Sequence, residues 1–152
     1  MKKFITIISV IICLSTITGC AKNNVVDTSN DFVEYYSEME KAQKIEIVPT
    51  DKKKTSQTLS NKNDILQFID TLAVDKWELT TLPVSTEISG TFVFSQNETI
   101  QLGKNKMNLD SYEAIKIYSY KDCPYVTIKI ADLDFDFKVS KNTAKYLNTL
   151  TQ

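Results

Sequence analysis

An α+β fold, one antiparallel meander with helices packed on one face of its sheet, is predicted for residues 44–152 by three observations. The first is a pair of registers that agree. If KDCP, Lys121 to Pro124, is a four-residue loop, Tyr120 faces Tyr125, Tyr118 faces Thr127, Ile117 faces Ile128 and Ile115 faces Ile130. If Ala131-Asp132 is the next turn, Ile130 meets Leu133, Ile128 meets Phe135 and Val126 meets Phe137. Both registers gather the apolar residues on one side, as a half-buried sheet requires. The second observation is the helical stripe Ile65, Phe68, Ile69, Leu72, and the third is the stripe Thr143, Ala144, Leu147, Leu150 at the chain's end. Consecutive strands flanked by helices read as a layered α+β domain.

The remaining elements follow in order. Residues 31–42, DFVEYYSEMEKA, place Phe32, Tyr36 and Met39 at helical spacing, with Asp31 and Glu34 suited to a first turn, so a short helix is expected, with a strand as the open alternative. KIEIVP, Lys44 to Pro49, alternates as a strand. Asp51 and the run Lys52-Lys53-Lys54 read as a solvated turn. Either Asn61 or Asn63 supplies the N-cap of the helix in NKNDILQFIDTLA. WELTTLP, Trp77 to Pro83, reads as a strand stopped by its proline. Gly90 to Gly103 reads as a hairpin turning at Gln96-Asn97-Glu98, with Phe92, Phe94, Ile100 and Leu102 as its apolar members. In the meander Lys129 stands opposite Asp134, a favourable cross-strand pair, and Lys116 opposite Lys129, an unfavourable one. Ser140 caps the last helix.

Composition bounds the chemistry. All 18 basic residues are lysine, against 19 acids, and there is no histidine. Nucleic-acid binding normally shows a basic patch with arginine forks, so no nucleic-acid partner is expected. Triads built on histidine and HExxH zinc sites are excluded, and the three glycines form no phosphate loop. A carboxylate pair or a Ser–Lys dyad stays open, because such groups meet only in space.

The first nineteen residues have a different character. Lys2 and Lys3 precede the uncharged run Phe4 to Gly19, 16 residues long and diluted by Ser9, Ser15, Thr16 and Thr18. A membrane-spanning helix needs about 20 apolar residues, so the layout is that of a secretory signal; an uncleaved signal anchor is the alternative. Ile17-Thr18-Gly19-Cys20 resembles the lipobox of bacterial prolipoproteins, which wants an aliphatic residue, a small residue, Gly or Ala, and an obligatory Cys. The resemblance covers the leader alone. It implies cleavage between Gly19 and Cys20, a diacylglyceryl thioether on Cys20, and acylation (palmitate or a similar chain) of the new amino terminus. Two or more acyl chains hold stably at a membrane where one holds marginally. The expected organisation is a signal peptide over 1–19, a lipidated terminus and tether over 20–43, and the single globular domain over 44–152. Ala21 offers no aspartate signal for inner-membrane retention. The expected location is the outer, extracytoplasmic face of the cell membrane.

Cys13 leaves with the leader and Cys20 carries the lipid, so Cys123 is the one free thiol and no intramolecular disulfide can form. Cys123 sits between Lys121-Asp122 and Pro124 without a histidine base, which favours a structural residue over a nucleophile; an interchain disulfide stays open. DLDFDF, Asp132 to Phe137, opens like a calcium loop but has Phe137 and Thr143 where that loop needs Gly and Glu. It reads instead as an acidic strand face that guards an edge, and no metal or cofactor is expected. Tyr118, Tyr120 and Tyr125 share the sheet face away from the helices with Thr127 and Lys129. Exposed aromatics among polar neighbours mark binding surfaces, so these three form the candidate surface, and a groove between sheet and helices is the second candidate. If the segment around Phe32 and Tyr36 covers them, they are a small second core. The function expected is non-enzymatic: a membrane-anchored binding module for a protein, peptide or envelope component. A lipid-anchored immunity or inhibitor protein and a histidine-independent envelope enzyme are the alternatives.

Overall fold

Alternation places Ile45 and Ile47 on one side of β1 (Lys44–Pro49), and the same side of the sheet collects nearly all large apolar residues that follow. The computed structural model describes residues 35–51, 57–97 and 110–152. Seven strands form one antiparallel sheet: β1, β2 (Gln57–Leu59), β3 (Glu78–Leu79), β4 (Ile88–Asn97), β5 (Ser111–Tyr120), β6 (Tyr125–Ile130) and β7 (Leu133–Lys138), in the spatial order β2-β1-β4-β5-β6-β7-β3. Residues 35–40 are helical (α1), followed by α2 (Lys62–Leu72) and α3 (Lys141–Leu150). A 3-10 turn, Val74–Lys76, follows α2.

The helices bury their stripes on one face of the sheet. Ile65, Phe68, Ile69 and Leu72 of α2 and Leu147 of α3 join Phe92, Phe94, Ile115, Ile117, Val126, Ile128 and Phe137 in a single core, and Met39 of α1 closes it. Phe68 lies at ring-centroid distances of 5.6 Å from Phe92, 6.1 Å from Phe94 and 5.9 Å from Tyr146, within the range of favourable aromatic pairs. Asn61 is the N-cap of α2, its side chain accepting from the Asn63 amide at 2.8 Å, and Ser140 caps α3 by accepting from Thr143 at 3.0 Å.

The meander has the expected register: Tyr118↔Thr127, Ile117↔Ile128, Ile128↔Phe135, Val126↔Phe137 and Lys129↔Asp134. Lys116 does stand opposite Lys129, and each lysine is paired, Lys116 with Glu113 at 2.5 Å and Lys129 with Asp134 at 3.3 Å. Ala131 opens its two-residue turn with a left-handed φ of 51°.

Three expectations are corrected. The strand over Trp77 to Pro83 shrinks to Glu78–Leu79, because Trp77 is drawn into the core, its indole donating to the Leu72 carbonyl at 2.8 Å, and the chain leaves the sheet after Thr80 donates to Asp136. There is no turn at Gln96-Asn97: β4 runs straight through both, which pair with Tyr112 and Ser111 of β5. The expected return strand at Ile100 and Leu102 lies outside the described residues, as do residues 1–34 with the leader, Cys20 and Phe32, and Lys52 to Lys54. Finally, Asp132 belongs to the turn, so β7 carries two aspartates, Asp134 and Asp136. The strand β2 was not anticipated.

The chain end is locked onto β4. Ser89 and Ala114 are left unpaired where the β4–β5 register shifts. The freed Ser89 hydroxyl meets that of Thr151 at 2.6 Å, and the Ser89 carbonyl accepts from Thr50 at 3.1 Å. Next to it, a Cβ on Gly90 would sit 2.3 Å from the Thr151 methyl. Gly90→Ala is therefore expected to destabilise the domain by about 1–3 kcal/mol, the usual cost of overpacking. Ala131→Gly, which relieves a left-handed alanine, is expected to stabilise it by about 0.5–1 kcal/mol. Urea unfolding followed by Trp77 fluorescence measures both; shifts of the opposite sign would contradict these packing arguments.

Candidate functional site

The sheet face away from the helices carries the tyrosines. Tyr118 sits in a cross-strand row with Thr91, Thr127 and Asp136, and Tyr118 and Tyr125 are partly exposed. Tyr120 differs from the expectation: it is only 7% exposed. Its hydroxyl lies 2.8 Å from that of Thr127, which donates to Asp136 Oδ1 at 2.7 Å. The Thr127 proton is thereby used, so Tyr120 must donate to Thr127. The resulting Tyr120→Thr127→Asp136 chain holds β5, β6 and β7 together. Tyr36 does not cover this face; it donates to Asp70 on α2 at 3.2 Å, and Tyr35 lies 5.4 Å from the Phe135 ring.

Cys123 occupies the β5–β6 loop, after Asp122 at a left-handed φ of 54°. A depression of about 310 Å³ joins this loop to Lys141, Lys145 and Asn148 of α3. Burial pushes the thiol pKa up, with Asp122 adding to the rise and a backbone hydrogen bond from Tyr125 opposing it, so the thiolate is disfavoured. Asn148 donates to the Tyr120 carbonyl at 3.3 Å, while its buried Oδ1 has no partner among the described residues. Nearby, Lys121 bridges Glu87 at 2.7 Å and Asp51 at 3.9 Å, tying three loops at one end of the sheet.

The second candidate, a groove between sheet and helices, is present. It holds about 330 Å³ and lies over β1 and β2, between α2 and α3. Half-buried Leu59, Tyr146 and Leu150 supply its apolar surface over the buried Ile47 and Phe68, and Gln57, Asp64, Gln67 and Thr71 form its polar rim. The α2 rim residues recur at i, i+3 and i+7 because the opposite stripe of the helix faces the core. Burial raises the Tyr146 pKa, and its hydroxyl has no hydrogen-bond partner among the described residues. Asp64 likewise has no ion pair there, and it is the only charged residue among the described lining. Sequence reasoning missed these residues individually. The signal available was Asp64, Gln67 and Thr71 as the polar flank of a recognised helix; what it lacked was β2, which supplies the outer wall.

The Tyr120 phenol is held above its ordinary value of 10.0 first by burial, then by Asp136, Asp134 and Cys123, against the hydrogen bond with Thr127. Below about pH 10 the phenol is neutral in folded and unfolded chains alike. As pH climbs past that value the unfolded chain loses the proton first, so stability falls. Tyr120→Phe is expected to cost about 0.5–1.5 kcal/mol at neutral pH. It should also lose less stability between about pH 9.5 and pH 11 than the parent, with Tyr146 supplying part of the loss that remains. Equal alkaline slopes in urea titrations of the two proteins would contradict the burial argument. Against known proteins, the chain matches no family model, and no curated protein or solved structure is similar to it.

Proposed function

We propose that this chain is a lipid-anchored, extracytoplasmic binding module that takes a protein, peptide or envelope component in the groove over β1 and β2. The observation that carries the reading is the groove itself: apolar surface from Leu59, Tyr146 and Leu150 beside a carboxylate with no ion pair and a phenol with no hydrogen bond among the described residues. Recognition sites combine apolar area with a few such unsatisfied polar groups. By contrast, Lys116 and Lys129 of the tyrosine face already have acidic partners and Tyr120 is consumed by its hydrogen bond. The role in this reading is binding rather than catalysis. Binding to a protein partner covers an immunity or inhibitor role as well.

The anchor is supported by the motif Ile17-Thr18-Gly19-Cys20 behind its charged and apolar leader. No helix among the described residues is long and apolar enough to cross a membrane. In this reading the signal peptide is removed after Gly19, Cys20 carries the diacylglyceryl group, and the domain stands at the outer face of the cell membrane. The mass of protein from its native host should match a chain beginning at acylated Cys20, and Cys20→Ala should keep the leader and lose the lipid. A bare Cys20 would overturn the anchor.

Capture on intact cells, with the anchored chain as bait, tests the groove. The parent should enrich a partner that Gln67→Trp, which fills the groove from an exposed helix position, reduces at least tenfold, while Tyr118→Ala retains it. The reverse pattern would move the site to the tyrosine face. Enrichment of nothing by the parent would overturn the binding role.

A further inference from the structure

The groove opens onto a strand whose outer side has no partner strand among the described residues. β2 pairs with β1 through Ile45↔Leu59, Glu46↔Thr58 and Ile47↔Gln57, and it ends the sheet. Its outward backbone groups have no partner among the described residues, and Gln57 and Thr58 are exposed. Side chains alternate along a strand, so Gln57 and Leu59 point to the groove side while Thr58 shares the other face with Glu46. A strand added beside β2 would therefore direct every second side chain toward Leu59, Tyr146 and Asp64.

We infer that the occupant of the groove is an extended peptide that pairs with β2 as an eighth strand, turns an apolar side chain onto Leu59 and Tyr146, and sets a basic side chain beside Asp64. Three features select this occupant. The free edge satisfies the donors and acceptors of an extended backbone, which a compact ligand does not present. The apolar floor at about 330 Å³ is the size of a pocket for one or two side chains rather than for a helix face. Among the described residues Asp64 has no ion pair and no lysine lines the groove, so its field selects a cation. The opposite edge is unsuited to the same use: β3 covers Phe137 and Lys138 of β7, and Asp134 stands on the part beyond it. This inference rests on the groove being a binding site, and it goes further by naming the backbone geometry and the charge of the partner.

The test uses the full chain in lipid nanodiscs and an acetylated, amidated hexapeptide, Thr-Leu-Thr-Lys-Thr-Thr, whose leucine and lysine fall on one side of an extended backbone. Backbone amide resonances of Gln57, Thr58 and Leu59 and the Tyr146 ring resonances are followed on titration. The expected result is a saturable shift of all four. Methylating the peptide nitrogens that face β2 should weaken binding about tenfold or more, the loss of two backbone hydrogen bonds. Replacing the peptide lysine with glutamate, or Asp64→Asn in the protein, should weaken it about fivefold, as for a partly exposed ion pair.

Benzylamine serves as a compact cation of the same polarity. If benzylamine shifts Tyr146 while the hexapeptide does not, or if methylation leaves the peptide affinity unchanged, the added strand is overturned and the groove survives as a small-ligand site. Concentration-dependent shifts at Gln57 to Leu59 without any peptide, accompanied by dimers in sedimentation, would overturn it in favour of a second copy. If neither probe moves any of these resonances, both this inference and the groove as a binding site fail.

Discussion

The contact of Phe68 with Phe92 and Phe94 is the packing on which the rest of the domain depends. It presses α2 onto the centre of the sheet at β4, the strand that carries the longest pairings on both sides. Cys123 is the one free thiol among the described residues, so no covalent link shares the load. Truncating a buried aromatic ring generally costs about 3–5 kcal/mol, against total stabilities of about 5–15 kcal/mol for a domain. The same contact shapes the groove, since the buried Phe68 ring also packs against Tyr146, which lines it. Core and candidate site are thus joined through one ring, and the groove inherits the rigidity of the core.

Much of this architecture was legible in the sequence, for reasons tied to particular residues. The meander could be registered because Ile117, Ile128 and Phe135 leave one alignment that keeps them together, and a slip by one residue would expose them all. The cap at Ser140 could be placed because it stands just before its apolar stripe, whereas the other was narrowed only to Asn61 or Asn63, and Asn61 takes it. Errors arose where tertiary contacts override local pattern. Trp77 looks like the start of a strand, yet the Leu72 carbonyl and Phe137 claim it for the core. Gln96 and Asn97 look like a turn, yet Gln96 is buried as a strand residue, donating to the Glu38 carbonyl at 2.8 Å and accepting from Tyr112 at 3.1 Å.

The sites were less legible. Tyr118, Tyr120 and Tyr125 were placed on the correct face, because that follows from register alone. That Tyr120 spends its hydroxyl on Thr127 does not follow, because the bond is diagonal and depends on the sheet's twist. The groove needs β2, and Gln57–Leu59 is three residues with one apolar member, too little for any periodicity to register. The described chain enters at Tyr35 beside β7, and β2 lies five strands away, about 24 Å at the usual spacing.

The two ends of the sheet are unlike each other, and that asymmetry governs assembly. A head-to-tail filament of sheets needs two compatible edges on each copy, one to receive and one to offer. Here the β2 end is open, whereas the β7 end is shortened by β3 and flanked by Asp134 and Asp136. Molecules confined to a surface meet one another far more often than they do in free solution, and such crowding punishes any repeating edge. If the chain is held at a membrane as proposed above, one receptive margin and one charged margin would let each body take a single guest without neighbours knitting into fibres.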